Sequence, residues 1–333
     1  MKTTKNTITR KKFFNVCGSV VAGGSIAGVS AVLLSRAANE RDNTGKEHER
    51  QSGVNNTPSP YRLVASFDLP DEISGFELCA NMLVAALQNS IALYDLAGKN
   101  AGSFAIDANP RNIAVNNSLI YVLYPKSVAV YNIVGERLRY WEACSDQSDY
   151  CSIAVSDDAV FVTDAASKNI CKYTAEGEFV KFINSPNGFV IPSYSFGAVV
   201  ANELLYCSNS GRHQVEMFTL NGEYVGFFGQ PGAVAGRFCG CCNPVYLTKA
   251  ANGAILTSEK GSPRISCYGK DGKFNAVMLN TDALGGGNKA YFVIMNDDRL
   301  YIAGRNTVSA YRYDENINKA ACSGCNSACF KQG

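Results

Sequence analysis

The chain has 333 residues, 46% of them apolar and 18% charged, enough for one large or two ordinary domains with a full core. Its formal charge of +2 hides a segregation: Lys2, Lys5, Arg10, Lys11, Lys12 and Arg36 fall in residues 1–36 with no acid, and the remainder carries 25 basic against 29 acidic residues. A body of net charge −4 offers no electrostatic footprint for nucleic acid, and two histidines, His48 and His213, leave almost nothing for imidazole chemistry.

The basic start is followed by an uncharged run of Val, Ala, Gly, Ser, Ile and Leu from Val16 to Leu34, and Ser35-Arg36-Ala37 places small residues at −3 and −1 of a cleavage site. Thr9-Arg10-Lys11-Lys12-Phe13-Phe14 resembles the twin-arginine export motif, with Lys11 in place of the second arginine. Residues 1–37 are therefore read as an export signal or an N-terminal membrane anchor. Either puts the body outside the cytoplasm, in the periplasm or on the outer face of the cytoplasmic membrane. Residues 38–60 are polar, without periodicity, and end in Pro58-Ser59-Pro60, as a solvated linker does.

From Tyr61 onward short β runs recur. An aromatic residue followed by a turn appears at Tyr94 (ALYDLAG), Tyr131 (AVYNIVGE), Tyr173 (CKYTAEGE), Phe218 (EMFTLNGE), Tyr268 (SCYGKDGK) and Tyr311 (SAYRYDEN), at spacings of 37, 42, 45, 50 and 43 residues. Each interval has room for four strands with tight turns, so the pattern predicts an all-β, six-bladed β-propeller of four-stranded blades over 61–318. The sixth unit has only three strands, and the orphan run Tyr61–Leu69 is expected to complete it, removing an open edge. Asn116-Asn117, Asp157-Asp158, Asn252-Gly253 and Asp297-Asp298 fall at the first turn of successive units; turn chemistry is the simple reading and a calcium site the sharper one.

Ser210-Gly211-Arg212-His213-Gln214-Val215-Glu216-Met217-Phe218, then Leu220-Asn221-Gly222-Glu223, resembles the NHL repeat, and Phe228-Gly229 and Gly236-Arg237-Phe238 continue the likeness over about one blade. The resemblance implies a propeller that binds a protein partner, with His213 tying adjacent backbone. Relatives with lyase or lactonase activity use several histidines or acids around the channel, and this chain lacks those histidines. With no nucleophile–base set standing out, an enzymatic role at the channel has the least support in the sequence.

Thirteen cysteines are the anomaly. Where the NHL-like junction runs from Phe to Pro across two residues, Phe238 and Pro244 enclose Cys239-Gly240-Cys241-Cys242-Asn243, and the chain ends in a cysteine-rich tail, 319–333, with Cys322, Cys325 and Cys329 in CxxCxxxC spacing. Such spacing suits thiolate ligation, so these six residues are read as a metal centre, an iron–sulfur cluster first and zinc second, serving electron transfer or redox partnership; Cys144 and Cys151 are further candidates. The alternative is a non-catalytic extracytoplasmic binding propeller with structural disulfides, in which neighbours such as Cys241 and Cys242 would pair elsewhere and Cys144 could bond Cys151. Cys79, Cys171, Cys207 and Cys267 lie in alternating strands and read as buried apolar thiols.

Overall fold

The computed structural model describes residues 59–317, and there the alternating runs become six antiparallel sheets of four strands. After β1 (Tyr61–Asp68), blade one holds β2 to β5 (Gly75–Cys79, Met82–Ala86, Ser90–Asp95, Asn100–Ala105), and blade two holds β6 to β9 (Asn112–Asn116, Leu119–Tyr124, Ser127–Asn132, Arg137–Glu142). Blade three holds β10 to β13 (Tyr150–Val155, Ala159–Asp164, Asn169–Thr174, Phe179–Ile183), and blade four β14 to β17 (Ala198–Ala201, Leu204–Asn209, Gln214–Thr219, Tyr224–Phe228). Blade five holds β18 to β21 (Tyr246–Lys249, Ile255–Glu259, Arg264–Tyr268, Phe274–Leu279), and blade six β22 to β24 (Phe292–Asn296, Arg299–Gly304, Thr307–Tyr313). The first strand of each blade touches its counterparts on both sides, so β2, β6, β10, β14, β18 and β22 line a central channel.

β1 pairs antiparallel with β24, from Tyr61 opposite Tyr313 to Asp68 opposite Thr307, and supplies the outer strand of blade six. The expected closure is thus realised, and the last blade's edge is paired within the chain. Ser59 already docks on the ring, its hydroxyl donating to the Met278 carbonyl at 2.6 Å. Residues 1–37, the rest of the linker, and the tail with Cys322, Cys325 and Cys329 lie outside the described residues.

The repeated aromatic has a physical cause. It stands on the third strand of its blade and packs against the outer strand of the blade before it: Tyr94 on Phe67 with ring centroids 5.6 Å apart, Tyr131 on Phe104 at 5.5 Å, Tyr173 on Trp141 at 5.9 Å and Tyr268 on Phe228 at 4.9 Å. The glycine that ends each turn clamps the same residue from the other side. At Gly98 (φ 85°) an added Cβ would lie 2.4 Å from the Phe67 ring, and at Gly177 (φ 91°) 2.4 Å from Trp141. Left-handed backbone and close approach together demand glycine there. The middle strands, sandwiched between blades, are apolar on both faces (Leu119–Tyr124, Ala159–Asp164), while outer strands such as Asn100–Ala105 alternate.

The turn pairs also work between blades. Nδ2 of Asn116 and of Asn117 reach Oδ1 of Asp157 at 3.1 and 3.0 Å, and Asn202 donates to the Gly253 carbonyl at 2.8 Å. Asn117 and Asp297 hold the left-handed conformations that such turns need.

Candidate functional site

The inner strands all run the same way, so the connections that enter them gather at one end of the channel. There a cavity of about 440 Å³ opens. It narrows at a waist lined by Glu77, Ser152, Tyr246 and Phe292, then widens into a second cavity of about 770 Å³ among the far ends of the inner strands.

Four cations from four connections line the first mouth: Arg111 before β6, Lys260 in the β19–β20 turn, Lys289 before β22 and Arg305 in the β23–β24 turn; Glu72 is the acid among the lining residues. Arg111 is bridged to Asp149 at 3.0 Å. Lys260, Lys289 and Arg305 have no carboxylate within ion-pair distance among the described residues. Arg111 also stacks over the ring of Tyr194, 5.8 Å from its centroid.

Tyr194 is 60% exposed, and it is presented by an unusual backbone, with Ser193 at φ 55° and Tyr194 at φ 56°. Two consecutive non-glycine residues in the left-handed region are costly, and such strain persists where surroundings over-determine it. Here Ser210 donates to the Ser195 carbonyl at 2.6 Å, and Nζ of Lys260 reaches Oγ of Ser195 at 3.4 Å. The arm Ser193–Ser195 is thereby fixed over the cavity.

The inserted loop borders the same mouth. Asn243, buried, donates to the carbonyls of Cys239 (2.7 Å) and Lys260 (2.9 Å) and accepts from the Lys260 amide at 2.9 Å. His213, itself left-handed, meets the Gly240 carbonyl through Nε2 at 2.5 Å, the backbone-tying role that its context implied. The thiols divide. Sγ of Cys241 lies 3.2 Å from Sγ of Cys242, so the neighbours expected to reach elsewhere meet each other. Burial pushes the Cys242 thiol up, but Lys260 and Cys241 outweigh it and hold it below its usual range. Cys239 is pushed up by burial and the charge of Glu259, in the company of Arg264 and Ser262. Among the described residues no three His, Cys, Asp or Glu side chains converge as a metal site.

Cys151 lines the mouth, its Sγ 3.7 Å from the Asp149 carbonyl, and burial pushes it up to about 12. Cys144 does not meet Cys151. It lies 3.5 Å from Sγ of Cys171, whose thiol holds it down at about 6. Cys79, Cys171 and Cys207 are buried free thiols; Cys267, equally buried, is disulfide-bonded, which corrects the free-thiol expectation for that position.

Sequence reading passed over Glu77. It stands on the innermost strand of blade one, lines the waist, and has its pKa raised to about 7 by burial, with Lys249 pulling the other way. Nearby, Tyr246 and Phe292 stack with centroids 4.3 Å apart.

No family model and no curated protein matches the chain. Solved structures do. Virginiamycin B lyase from Staphylococcus aureus aligns over 76% of this chain and 99% of its own at a TM-score of 0.52 and 13% identity. A structural genomics protein of unknown function from Bacteroides thetaiotaomicron aligns over 78% of this chain and 73% of its own at 0.58 and 13% identity. The WD40 β-propeller domain of Doa1 aligns over 77% of this chain and 98% of its own at 0.53 and 10% identity. At such identities the shared property is the propeller fold.

Proposed function

We propose that the protein is an extracytoplasmic binding propeller, NHL-like in its fourth blade, that seats an anionic group of a ligand or protein partner in the mouth ringed by Arg111, Lys260, Lys289 and Arg305. The observation that carries this is charge placement: on a body of net −4, three of these cations lie around one cavity with no carboxylate at ion-pair distance among the described residues. Arg111 and Tyr194 add a flat, stacked surface beside them. The basic and apolar pattern of residues 1–37 supports placement outside the cytoplasm. The lyase named in the structural comparison lends its fold and nothing of its chemistry.

Calorimetric titration with citrate and with inorganic phosphate tests the reading. Saturable binding of a polyanion that weakens with salt is expected, with Lys289→Ala and Arg305→Ala each costing about 5- to 10-fold in affinity, on the order of 1 kcal/mol per lost charge contact. Equal affinity in wild type and the double variant, or no saturable binding of either anion, would overturn it.

A second reading, the cysteine-ligated metal centre, is favoured by the contact between Cys241 and Cys242 on one pinned loop. Those thiols supply two ligands, and an iron–sulfur cluster or zinc would need its others from Cys322, Cys325 and Cys329. The chain leaves β24 at the face opposite this loop, so this reading has to bridge the height of a blade, roughly 20 Å for a six-residue strand. Near-stoichiometric iron or zinc in protein purified without oxygen, lost in Cys241→Ser/Cys242→Ser, is the result expected of this reading; protein free of both metals would remove it.

A further inference from the structure

Cys144 and Cys171 occupy unequal positions. Cys144 follows β9 in the connection to blade three and is half-buried, whereas Cys171, on β12, is wholly buried between blades two and three among Trp141, Phe182 and Tyr173. Their sulfurs are 3.5 Å apart. Around them, the Cys144 amide donates to the Tyr150 hydroxyl at 3.3 Å, that hydroxyl lies 3.9 Å from Sγ of Cys144, and the hydroxyls of Tyr150 and Tyr173 share a hydrogen bond.

We propose that Cys144 and Cys171 form a dithiol–disulfide couple that staples the connection between blades two and three to the third strand of blade three. A disulfide needs the sulfurs about 2.05 Å apart, a closure of roughly 1.5 Å from the observed separation. The difference in exposure sets the order of events. The Cys144 thiolate attacks one sulfur of a donor disulfide, either a small one or that of a thiol oxidoreductase. The donor's S–S bond breaks, one donor thiol leaves, and a mixed disulfide remains on Cys144. Cys171, deprotonated, then attacks the Cys144 sulfur and expels the second donor thiol. Two protein S–H bonds have become one S–S bond, and the donor has taken up two electrons and two protons.

The staple falls where it matters to the mouth. The connection it would close carries Asp149, the partner of Arg111 at 3.0 Å, and is otherwise tied by Lys126, whose ammonium donates to the Asp146 carbonyl at 2.7 Å, and by the Tyr150 amide on the Pro125 carbonyl at 3.0 Å.

The test uses the full chain, fully reduced and then exposed to glutathione disulfide, followed by alkylation and peptide mapping without reductant. The expected product is a linked peptide pair containing Cys144 and Cys171, two hydrogens lighter than the thiols, in protein that melts about 5 °C higher than the reduced form. Cys171→Ala under the same treatment should stop at glutathione on Cys144. If that variant does not fold, substoichiometric iodoacetamide on reduced wild type should alkylate Cys144 ahead of Cys151 and Cys171, and that pre-alkylated protein should give no linked pair. Recovery of both cysteines alkylated and unlinked, or of Cys144 linked to any other cysteine, would overturn the proposal.

Discussion

Arg264→Ala is expected to lose about 3–5 kcal/mol of stability, the cost of leaving a buried charge without its partner. Arg264 is 6% exposed and Glu259 not at all; Nε meets Oε1 at 2.6 Å and Nη2 meets Oε2 at 2.9 Å, a two-pronged pairing that holds both oxygens. The remaining donors go to the carbonyls of Ala233 (3.3 Å), Val234 (3.5 Å) and Arg237. One side chain therefore ties two strands of blade five to the segment that leads into Cys239–Cys242. Without it, burial leaves the Glu259 carboxylate with its pKa already raised and its largest opposing influence gone. Urea or thermal unfolding reads the loss, about 10 °C in Tm for a domain of this size. Glu259→Gln/Arg264→Met, which removes the uncompensated charge along with the pair, should recover much of it, and Arg264→Lys, with no fork, should not. A single variant within 1 kcal/mol of wild type would show that the pair does not anchor the inserted segment.

What could be read beforehand followed from local chemistry repeated along the chain. Tyr94, Tyr131, Tyr173, Phe218 and Tyr268, each followed by a glycine turn, mark the third strands of blades one to five because that aromatic and that glycine grip the preceding blade together. The closing strand was legible as a run with no local partner. The mouth was not, because it has no local signature: Arg111, Lys260, Lys289 and Arg305 come from connections far apart in sequence and meet through ring closure. Cys144 and Cys151, close along the chain, looked like partners. The register shift at the start of β10 falls at Cys151, which lines the channel mouth, while the register of β12 sets Cys171 beside Cys144. The left-handed pair Ser193-Tyr194 follows Pro192 and has no glycine to announce it. Glu77 reads as an ordinary outward residue of an alternating strand; only in a ring does the far face of an innermost strand meet a narrow channel instead of bulk water.

That position of Glu77 gives the second large effect. Its carboxyl is raised from 4.5 to about 7, with burial the leading cause and Lys249 opposing it. Because the folded value lies above the unfolded one, the folded state binds the proton more tightly. The group's contribution is then fully present below about pH 4.5 and is lost as the pH rises through 7. At about 1.4 kcal/mol per pKa unit, the swing has an upper bound of roughly 3 kcal/mol, reduced by whatever water the channel admits. Glu77→Gln, neutral at every pH, should therefore match wild type near pH 4 and exceed it at pH 8 by about 2 kcal/mol, or about 6 °C in Tm. Thermal unfolding of both proteins from pH 4 to pH 8 checks the sign as well as the size. Parallel profiles would mean that the carboxylate is as well solvated at the waist as in the unfolded chain. Wild type more stable than Glu77→Gln at pH 8, with the two converging toward acid, would mean that Lys249, and not burial, governs it.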